Sequence, residues 1–373
     1  MYRFLHTSDW QIGMKAAGLG AASGKVRQFR LDAIRNLLEI ARDQQAAAVI
    51  VAGDIFEDNQ VSTTLVEQVA GILNDADACP IYLLPGNHDP FTLGSVWHRD
   101  VWRQLRPHVR LLTDHQPIEL AAGVSLFPCP LLAKHGTDDP TARIPPRPPS
   151  DKTLRIAVAH GTMRIRPDVG DDDFPIALDA AERADVDYLA LGHWHSVLAG
   201  GGGRAWYSGT HETTKFGERD SGQALLVTLT DAGRPPGVEA VRTGVLKWAE
   251  ESVDLESDTA DAVVRRFREW PDAANQLLRL ICTGRATPAT AAAIEQLRGV
   301  LAERFLYADC DTAHLRPEDA AEALTDLNGS PYLIAAADEL RQLAEAPPGG
   351  TADPAVAARA LDLLHQFAWA GRA

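Results

Sequence analysis

The sequence predicts an α/β fold in which a mostly parallel sheet is flanked by helices. Two observations indicate this class. Residues 1–245 alternate short β-branched apolar runs with amphipathic segments, as expected of buried strands joined by helices. Polar motifs follow directly after several predicted strands, which is where α/β proteins place their ligand sites. The pattern changes after residue 248, so a separate unit is expected there.

The predicted strands are short and rich in Val, Ile, Leu and Ala. Residues 26–45 lie between the first two strands and repeat apolar side chains at helical spacing, among them Ile34, Leu37 and Ala41. A strand, a helix and a second strand form a β-α-β unit, so the first two strands should run parallel. The predicted strands cover residues 2–7, 47–52, 81–84, 124–128, 154–159, 188–191, 205–208 and 224–230.

The chain is expected to divide into three parts. Residues 1–245 form the main domain, and residues 246–331 form a small α+β domain built on a strand, an amphipathic helix and a second strand. Residues 332–373 are expected to be helical. Their amphipathic segment at 356–369 could dock on its own domain or bind a partner.

Charge and cysteine content limit the possible functions. The 373 residues include 36 basic and 51 acidic side chains, a net charge of −15. A protein that binds nucleic acid chiefly by neutralising phosphates needs a basic face, so DNA affinity would have to be local, metal-assisted or supplied by a partner. The four cysteines show no C-x-x-C spacing and are interpreted as free buried thiols. No signal peptide or membrane span is recognisable, so a cytoplasmic protein without a membrane partner is expected.

Five short motifs follow predicted strands, and the carboxyl ends of those strands should meet in space. The motifs are SDWQ (8–11), GDIFED (53–58), GNHD (86–89), AHG (159–161) and GHWH (192–195). Mixed carboxylate, amide and imidazole donors suit Mn²⁺ or Fe²⁺ better than a thiolate zinc site would. The candidate ligands in these motifs are Asp9, Asp54, Asn87, His160, His193 and His195.

Each motif alone also has an ordinary structural interpretation, as a turn, a helix cap or a hydrogen-bonded core histidine. Their joint occurrence in order favours a metal site. His6 and His211 flank the motifs and are expected to be structural, and Asp171–Asp173 is interpreted as a solvated loop.

The order of these motifs resembles that of the calcineurin-like metallophosphoesterases, which is D-x-H, G-D, G-N-H-D/E, H and G-H-x-H. FLHTSDWQIG, GDIFED and YSGTHETTKFGE (207–218) look most like the SbcD-type DNA repair exonucleases. The resemblance covers about residues 1–245. It implies a four-layer α/β/β/α metallophosphoesterase sandwich with a small α+β capping domain and a helical C-terminal tail.

The resemblance also implies two divalent metal ions, with Mn²⁺ as the expected metal. Asp54 would bind both ions. Asp9, Gln11 and His195 would complete one site, and Asn87, His160 and His193 would complete the other.

Two further residues take roles from the resemblance. His88 would stabilise or protonate the leaving alkoxide. Asp89 would orient His88 or, equally well, cap a helix.

The sequence departs from the family pattern at two positions. Gln11 stands where the D-x-H motif has histidine, so full occupancy of both metal sites is in question. Glu57 stands where some family nucleases carry a second active-site histidine, so substrate positioning could differ.

The first hypothesis is a metal-dependent DNA exonuclease, with endonuclease activity also open, that acts in DNA repair with a coiled-coil SbcC-type ATPase. One alternative is a two-metal phosphodiesterase or phosphatase acting on a small or protein substrate. Another is a catalytically weak scaffold for the ATPase, which Gln11 favours. A homodimer is expected from the segment 91–106, where Trp97, Val101 and Leu105 form an apolar stripe at helical spacing together with Trp102.

Overall fold

The computed structural model describes residues 1–165, 174–256, 260–317, 331–345 and 353–370. The chain forms two compact units, Met1–Leu246 and Lys247–Ala373. The predicted loop at Asp171–Asp173 lies outside the described residues. Within the described ranges, no helix combines the length and apolar character that a membrane crossing requires.

The described part of the first unit consists mainly of strands with three α-helices between them. The helices are α1 (Ser23–Asp43), α2 (Thr63–Asp75) and α3 (Ala180–Arg183). The strands are β1 (Tyr2–Thr7), β2 (Val49–Ala52), β3 (Ile81–Leu84), β4 (Val109–Leu111), β5 (Ile118–Ala121), β6 (Val124–Cys129), β7 (Leu154–His160), β8 (Thr162–Met163), β9 (Pro175–Ile176), β10 (Tyr188–Gly192), β11 (Val197–Gly200), β12 (Ala205–Ser208), β13 (Gln223–Leu229) and β14 (Gly237–Arg242).

These strands form two large mixed sheets. The first has the order β14-β13-β1-β2-β3-β4, in which β1 to β4 run parallel and β13 runs antiparallel to β1. The second has the order β11-β12-β10-β7-β6-β5 with a parallel centre of β12, β10, β7 and β6. The strands β8 and β9 pair with each other in a separate parallel ladder. The predicted α/β class and the parallel pairing of the first two strands are confirmed.

The two sheets face each other across a shared apolar core. Alternate residues of each central strand point to opposite faces. On β1, Phe4 packs between the sheets, whereas Leu5 packs on the outer side with α1 and α2. On β10, Tyr188 and Ala190 face the first sheet. Because both faces of these strands are buried, β2, β3 and β10 are apolar runs without alternation, whereas β1 also buries His6 and Thr7.

Helices α1 and α2 cover the outer face of the first sheet. Helix α1 buries Ile34, Leu37 and Ala41, the residues predicted from their spacing. Helix α2 begins after Ser62, whose side chain accepts a hydrogen bond from the Leu65 amide. The outer face of the second sheet packs against the short helix α3 and neighbouring loops.

The eight predicted strands of the first unit are confirmed to within two residues at each end. The helical stripe predicted at 91–106 is wrong. This segment forms two short 3-10 turns, Val96–His98 and Asp100–Gln104. Trp97 and Trp102 are 4% and 8% exposed and pack around Phe56 at ring-centroid distances of 5.5 and 6.0 Å. The aromatic residues therefore fill the core of their own unit and form no surface stripe.

The second unit is built on a parallel sheet. Its strands are β15 (Lys247–Asp254), β16 (Gln276–Ala286), β17 (Tyr307–Asp311) and β18 (Leu315–Pro317), and its helices are α4 (Ala260–Arg268), α5 (Pro288–Arg304), α6 (Pro331–Ala344) and α7 (Pro354–Ala370). The strand, helix and strand predicted in this region correspond to β16, α5 and β17. Helices α6 and α7 pack against each other, and α7 also contacts β18. The three-part division of the chain stays a prediction.

Candidate metal centre

The ends of five strands come together at one edge of the first unit. The loops after β1, β2 and β3 belong to the first sheet, and the ends of β7 and β10 belong to the second. Hydrogen bonds join the two groups. The amide of His193 donates to the carboxylate of Asp9 at 3.0 Å, and Nδ1 of His160 donates to the carbonyl of Ala52 at 2.9 Å. The two sheets therefore share one polar centre.

A buried cluster of possible metal ligands lies at this centre. Asp9, Asp54 and His160 place one ligand atom each within 4.8 Å of one another. Nε2 of His160 lies 3.4 Å from Oδ2 of Asp54. Asn87 adds Oδ1, which lies 2.8 Å from Nε2 of His160 and 3.2 Å from Nδ1 of His193. Five of the seven predicted ligands are thus connected directly.

The other two predicted ligands form a second group. Nε2 of the Gln11 amide lies 3.1 Å from Nε2 of His195. The opposite ring nitrogen, Nδ1 of His195, lies 3.0 Å from the carboxylate of Glu218. Asp9 and Asp54 are fully buried, whereas His193 and His195 are partly exposed, so the centre opens towards solvent on the side of these two histidines.

The backbone at this centre is held in an unusual conformation. Asp9, Gln11 and Asp54 have φ of +53°, +43° and +53°, in the left-handed region, and His193 has φ of +104°. Such conformations are uncommon for residues other than glycine and cluster at functional sites. The parallel bonds from the Asp9 amide to Gly53 and from the Gln11 amide to Asp54 hold the first two loops together.

Two glycines permit the loops to approach so closely. A Cβ on Gly53, whose φ is +93°, would lie 2.2 Å from Nδ1 of His160. A Cβ on Gly86 would lie 2.1 Å from Oδ1 of Asp54. Both values are far below any tolerated contact, so a side chain at either position would displace a candidate ligand.

His88 and Asp89 differ in their surroundings. The backbone amide of His88 donates to Oδ1 of Asp54 at 2.9 Å, and Nδ1 of the His88 ring donates to the carbonyl of Glu57 at 2.8 Å. The carboxylate of Asp89 is fully buried and accepts from the amides of Phe56 and Gly86 at 2.9 and 2.8 Å. Asp89 therefore connects the GDIFED loop to the GNHD loop, and its hydrogen bonds to backbone amides indicate a structural role.

Sequence reasoning missed two residues that support the centre. Glu218 contacts His195 and lay unremarked inside the block 207–218. Arg30, in α1, is fully buried and donates to the carbonyls of Trp10 and Glu212. Only its place on the buried side of an amphipathic helix could have suggested this role.

The sequence profile of the calcineurin-like phosphoesterase family matches residues 2–197, which contain every predicted ligand. The chain belongs to this family. It is similar to the SbcD component of the nuclease SbcCD from Bacillus subtilis, with 29% identity over 282 residues that cover 65% of this chain and 69% of that protein. The resemblance deduced from the motifs is thereby confirmed. A crystal structure of the Thermus thermophilus protein TT1561 is also similar, with 13% identity, a TM-score of 0.42, and coverage of 65% of this chain and 99% of that one.

Calcineurin-like phosphoesterases use divalent metal ions, and the environment of His160 fits a cation. Because Nδ1 of His160 donates to the Ala52 carbonyl, Nε2 of the neutral ring carries a lone pair. This lone pair faces oxygen acceptors on Asn87 and Asp54. Several acceptor atoms then converge, which is favourable only with a cation or an additional proton among them.

The protonation preferences of this phosphoesterase agree with that geometry. Burial lowers the pKa of His160, but the carboxylates of Asp54 and Asp9 outweigh burial and raise that pKa to about 9. Burial likewise raises the pKa of Asp54, but His160 and His88 lower it to about 2. Burial and the neighbouring Asp54 raise the pKa of Asp89 to about 7. In the metal-free protein, a proton on His160 therefore compensates the charge of Asp54.

His6 has the structural role that was expected. It is fully buried on β1, where Nε2 donates to the carbonyl of Leu191 at 3.2 Å and Nδ1 accepts from the hydroxyl of Tyr188 at 2.9 Å. His211 is also buried and donates to the carbonyl of Arg30. Among the described residues, each imidazole forms hydrogen bonds only with residues outside the ligand cluster.

We predict that His6 makes the phosphoesterase unit sensitive to acid. Burial lowers the pKa of His6 to about 3, whereas an unfolded histidine titrates near 6.5. Below pH 6.5 the unfolded chain therefore binds a proton that the folded chain does not. The stability from neutral His6 is complete above that pH and falls by about 1.4 kcal/mol per pH unit on acidification.

The measurement compares urea unfolding of wild type and His6→Gln from pH 7 to pH 5. Titration of other groups, such as Asp89, affects both proteins equally and cancels in the difference. The stability advantage of wild type should shrink as the pH falls from 6.5. A difference that is constant over this range would contradict the prediction.

Proposed function

We propose that this phosphoesterase is a two-metal DNA exonuclease, with endonuclease activity also open, that acts in DNA repair together with an SbcC-type ATPase. The observation that carries the proposal is the buried Asp9, Asp54 and His160 cluster at the shared edge of both sheets. The similarity to a bacterial nuclease component supports DNA as the substrate. Mn²⁺ is the metal that we expect, because carboxylate, amide oxygen and imidazole donors suit it.

In this proposal Asp54 would be a ligand of both ions. Asn87, His160 and His193 would hold one ion with Asp54, since their ligand atoms already adjoin. Asp9 and His195 would hold the other, and Gln11 beside His195 is either its third ligand or a competitor of the ion. Two divalent ions held in this way would polarise a phosphoryl group and activate water for attack on phosphorus.

His88 is the proposed proton donor to the leaving oxygen. Its Nδ1 is committed to the carbonyl of Glu57, so Nε2 is the ring atom that can exchange a proton with substrate. Its backbone amide is bonded to Asp54, so the ring is anchored to the loop that carries the shared carboxylate. Asp89 is proposed as a positioning residue, since both of its oxygens bind backbone amides of the two loops.

The decisive experiment compares two substrates with the purified full chain. End-labelled duplex DNA and a small chromogenic phosphodiester are incubated with Mn²⁺, Mg²⁺ or a chelator. We expect Mn²⁺-dependent degradation of the duplex from its ends, which the chelator abolishes. Hydrolysis of the small diester with intact duplex would favour the phosphodiesterase alternative, and neither activity would favour a scaffold.

The scaffold alternative has one specific observation in its favour. The Gln11 amide faces the imidazole of His195 through its nitrogen, not its oxygen. A weakly occupied second site would leave a protein that presents the ATPase but cuts DNA slowly.

The proposed ATPase would supply DNA affinity that the acidic chain lacks. Helix α7 exposes Val356 and Leu363, at 65% and 38% of their surface, one helical heptad apart. Helix α6 adds Tyr332, which is 86% exposed. Exposed apolar side chains on two helices that pack together suit a coiled-coil partner. A homodimer stays a prediction, and the segment 91–106 no longer supports it.

We predict that removing residues 350–373 abolishes capture of the SbcC-type ATPase and leaves Mn²⁺-dependent hydrolysis of a small diester intact. The double change Val356→Asp and Leu363→Asp should have the same effect, because both side chains are exposed. Pull-down and hydrolysis are measured on the same preparations. Capture that survives both changes would place the partner elsewhere.

A further inference from the structure

The carboxylate of Glu218 contacts one ring nitrogen of His195, a proposed metal ligand. Its side chain is only 4% exposed. Oε2 accepts from the backbone amide of Thr214 at 2.7 Å, and Oε1 accepts from the Thr214 hydroxyl at 2.5 Å. Oε1 also lies 3.0 Å from Nδ1 of His195. The two contacts with Thr214 therefore fix the orientation of the Glu218 carboxylate, and its Oε1 contacts the imidazole of His195.

This contact determines which nitrogen of His195 can bind a cation. An ionised carboxylate only accepts hydrogen bonds, so Nδ1 of His195 must carry a proton. In the neutral ring, Nε2 then carries the lone pair. The Gln11 side-chain nitrogen lies 3.1 Å from this Nε2 and, as an amide nitrogen, can only donate. Gln11 therefore occupies the lone pair that a metal ion would need.

The loops that carry Gln11 and Glu218, on either side of His195, are connected by hydrogen bonds. Ser8 and Thr210 form a bridge between their loops, and the Ser8 and Ser208 hydroxyls lie 2.9 Å apart. Arg30 donates to the carbonyls of Trp10 and Glu212, one on each loop. The backbones of the loops that carry Gln11 and Glu218 are therefore connected, and His195 lies between the two side chains.

We propose that Glu218 is a positioning residue that directs Nε2 of His195 into the metal centre, and that Gln11 caps this nitrogen as a competitor of the metal ion. The proposal rests on the proposed function in so far as His195 is a ligand. For the ion to engage His195, the hydrogen bond from Gln11 must break and the amide must turn away.

The competitor and ligand roles of Gln11 predict opposite results. If Gln11 competes, Gln11→Ala should tighten Mn²⁺ binding at the weaker site by about 3- to 10-fold, the effect of releasing one hydrogen bond. If Gln11 were a ligand, the same change should weaken binding. Glu218→Gln should weaken binding by about 10- to 100-fold, because it loses the charged acceptor that orients His195.

The experiment uses the full chain without DNA, so that its outcome is independent of nuclease activity. Calorimetric Mn²⁺ titrations compare wild type, Gln11→Ala and Glu218→Gln, with Glu67→Gln as a control for the same charge change on an exposed side chain of α2. The control should match wild type. Weaker or unchanged binding by Gln11→Ala, or unchanged binding by Glu218→Gln, would overturn the proposal.

A second measurement needs no variant. Long-range ¹H–¹⁵N correlation spectra of the metal-free wild type at mildly alkaline pH report the tautomer of each histidine. We expect His195 protonated on Nδ1 alone, with the Nε2 signal changing on Mn²⁺ addition. A proton on Nε2 in the neutral ring would overturn the proposal even if the protein degrades DNA. A protein with the expected tautomer and metal binding that cuts no DNA would instead disprove the proposed function.

Discussion

Replacing Asp54 with asparagine is expected to abolish hydrolysis, by about 10³-fold or more, the upper range for a single electrostatic group. The carboxylate is buried between the two proposed ligand groups and carries the charge that both ions would share. The amide is nearly the same size, so the His88 amide can keep its hydrogen bond to the Oδ1 position. The loss should therefore come from the charge and not from the fold.

The test measures hydrolysis of a small phosphodiester, Mn²⁺ binding by calorimetry, and thermal unfolding. Asp58→Asn is a matched control, because Asp58 has the same charge and lies on the same loop but is exposed. We expect Asp58→Asn to stay within about twofold of wild type. An Asp54→Asn protein that binds two ions with normal affinity would contradict the shared-ligand role.

Replacing Gly192 with alanine is expected to destabilise the first unit by about 3 kcal/mol, the upper range for overpacking a core. Gly192 ends β10 and pairs with His160 on β7. A Cβ there would lie 1.9 Å from the carbonyl oxygen of Ala52 and 2.7 Å from Nδ1 of His160. The neighbouring atom is backbone, so the two sheets would have to separate at the edge that carries the site.

Urea unfolding of Gly192→Ala is compared with that of Gly71→Ala. Gly71 lies inside α2, where a Cβ would meet no atom within 4 Å. The second change should stabilise the protein by about 0.5–1 kcal/mol, because alanine favours a helix over glycine. Metal affinity should fall only in Gly192→Ala. Equal stability of the two variants would show that the sheets can separate without cost.

Local patterns sufficed for the elements that lie closest to the site. The strands that end before Asp54 and Asn87 are short apolar runs, and such runs are typical of strands buried on both faces. The apolar spacing in α1 likewise reports one buried face. These are properties of neighbouring residues, so a single sequence records them.

The same patterns did not identify the surface that covers Trp97 and Trp102. Trp97 and Trp102 are apolar and regularly spaced whether they face a second chain or the core. The structure places them around Phe56, and each indole nitrogen binds a backbone carbonyl within the same unit. Spacing reports that a side chain avoids water but does not identify the surface that covers it.

By itself, the sequence determined the α/β class, most strands, the helix α1 and the identity of the candidate ligands, because each depends on residue type and short spacing. Only the tertiary structure decided that the strands form two sheets, that Asp89 braces two loops, and that Gln11 meets His195 through its amide nitrogen. Two of these contacts join residues that are far apart in the chain, 33 positions for Asp89 and Phe56 and 184 positions for Gln11 and His195. Contacts over such separations follow from how the sheets pack, and no local pattern encodes them.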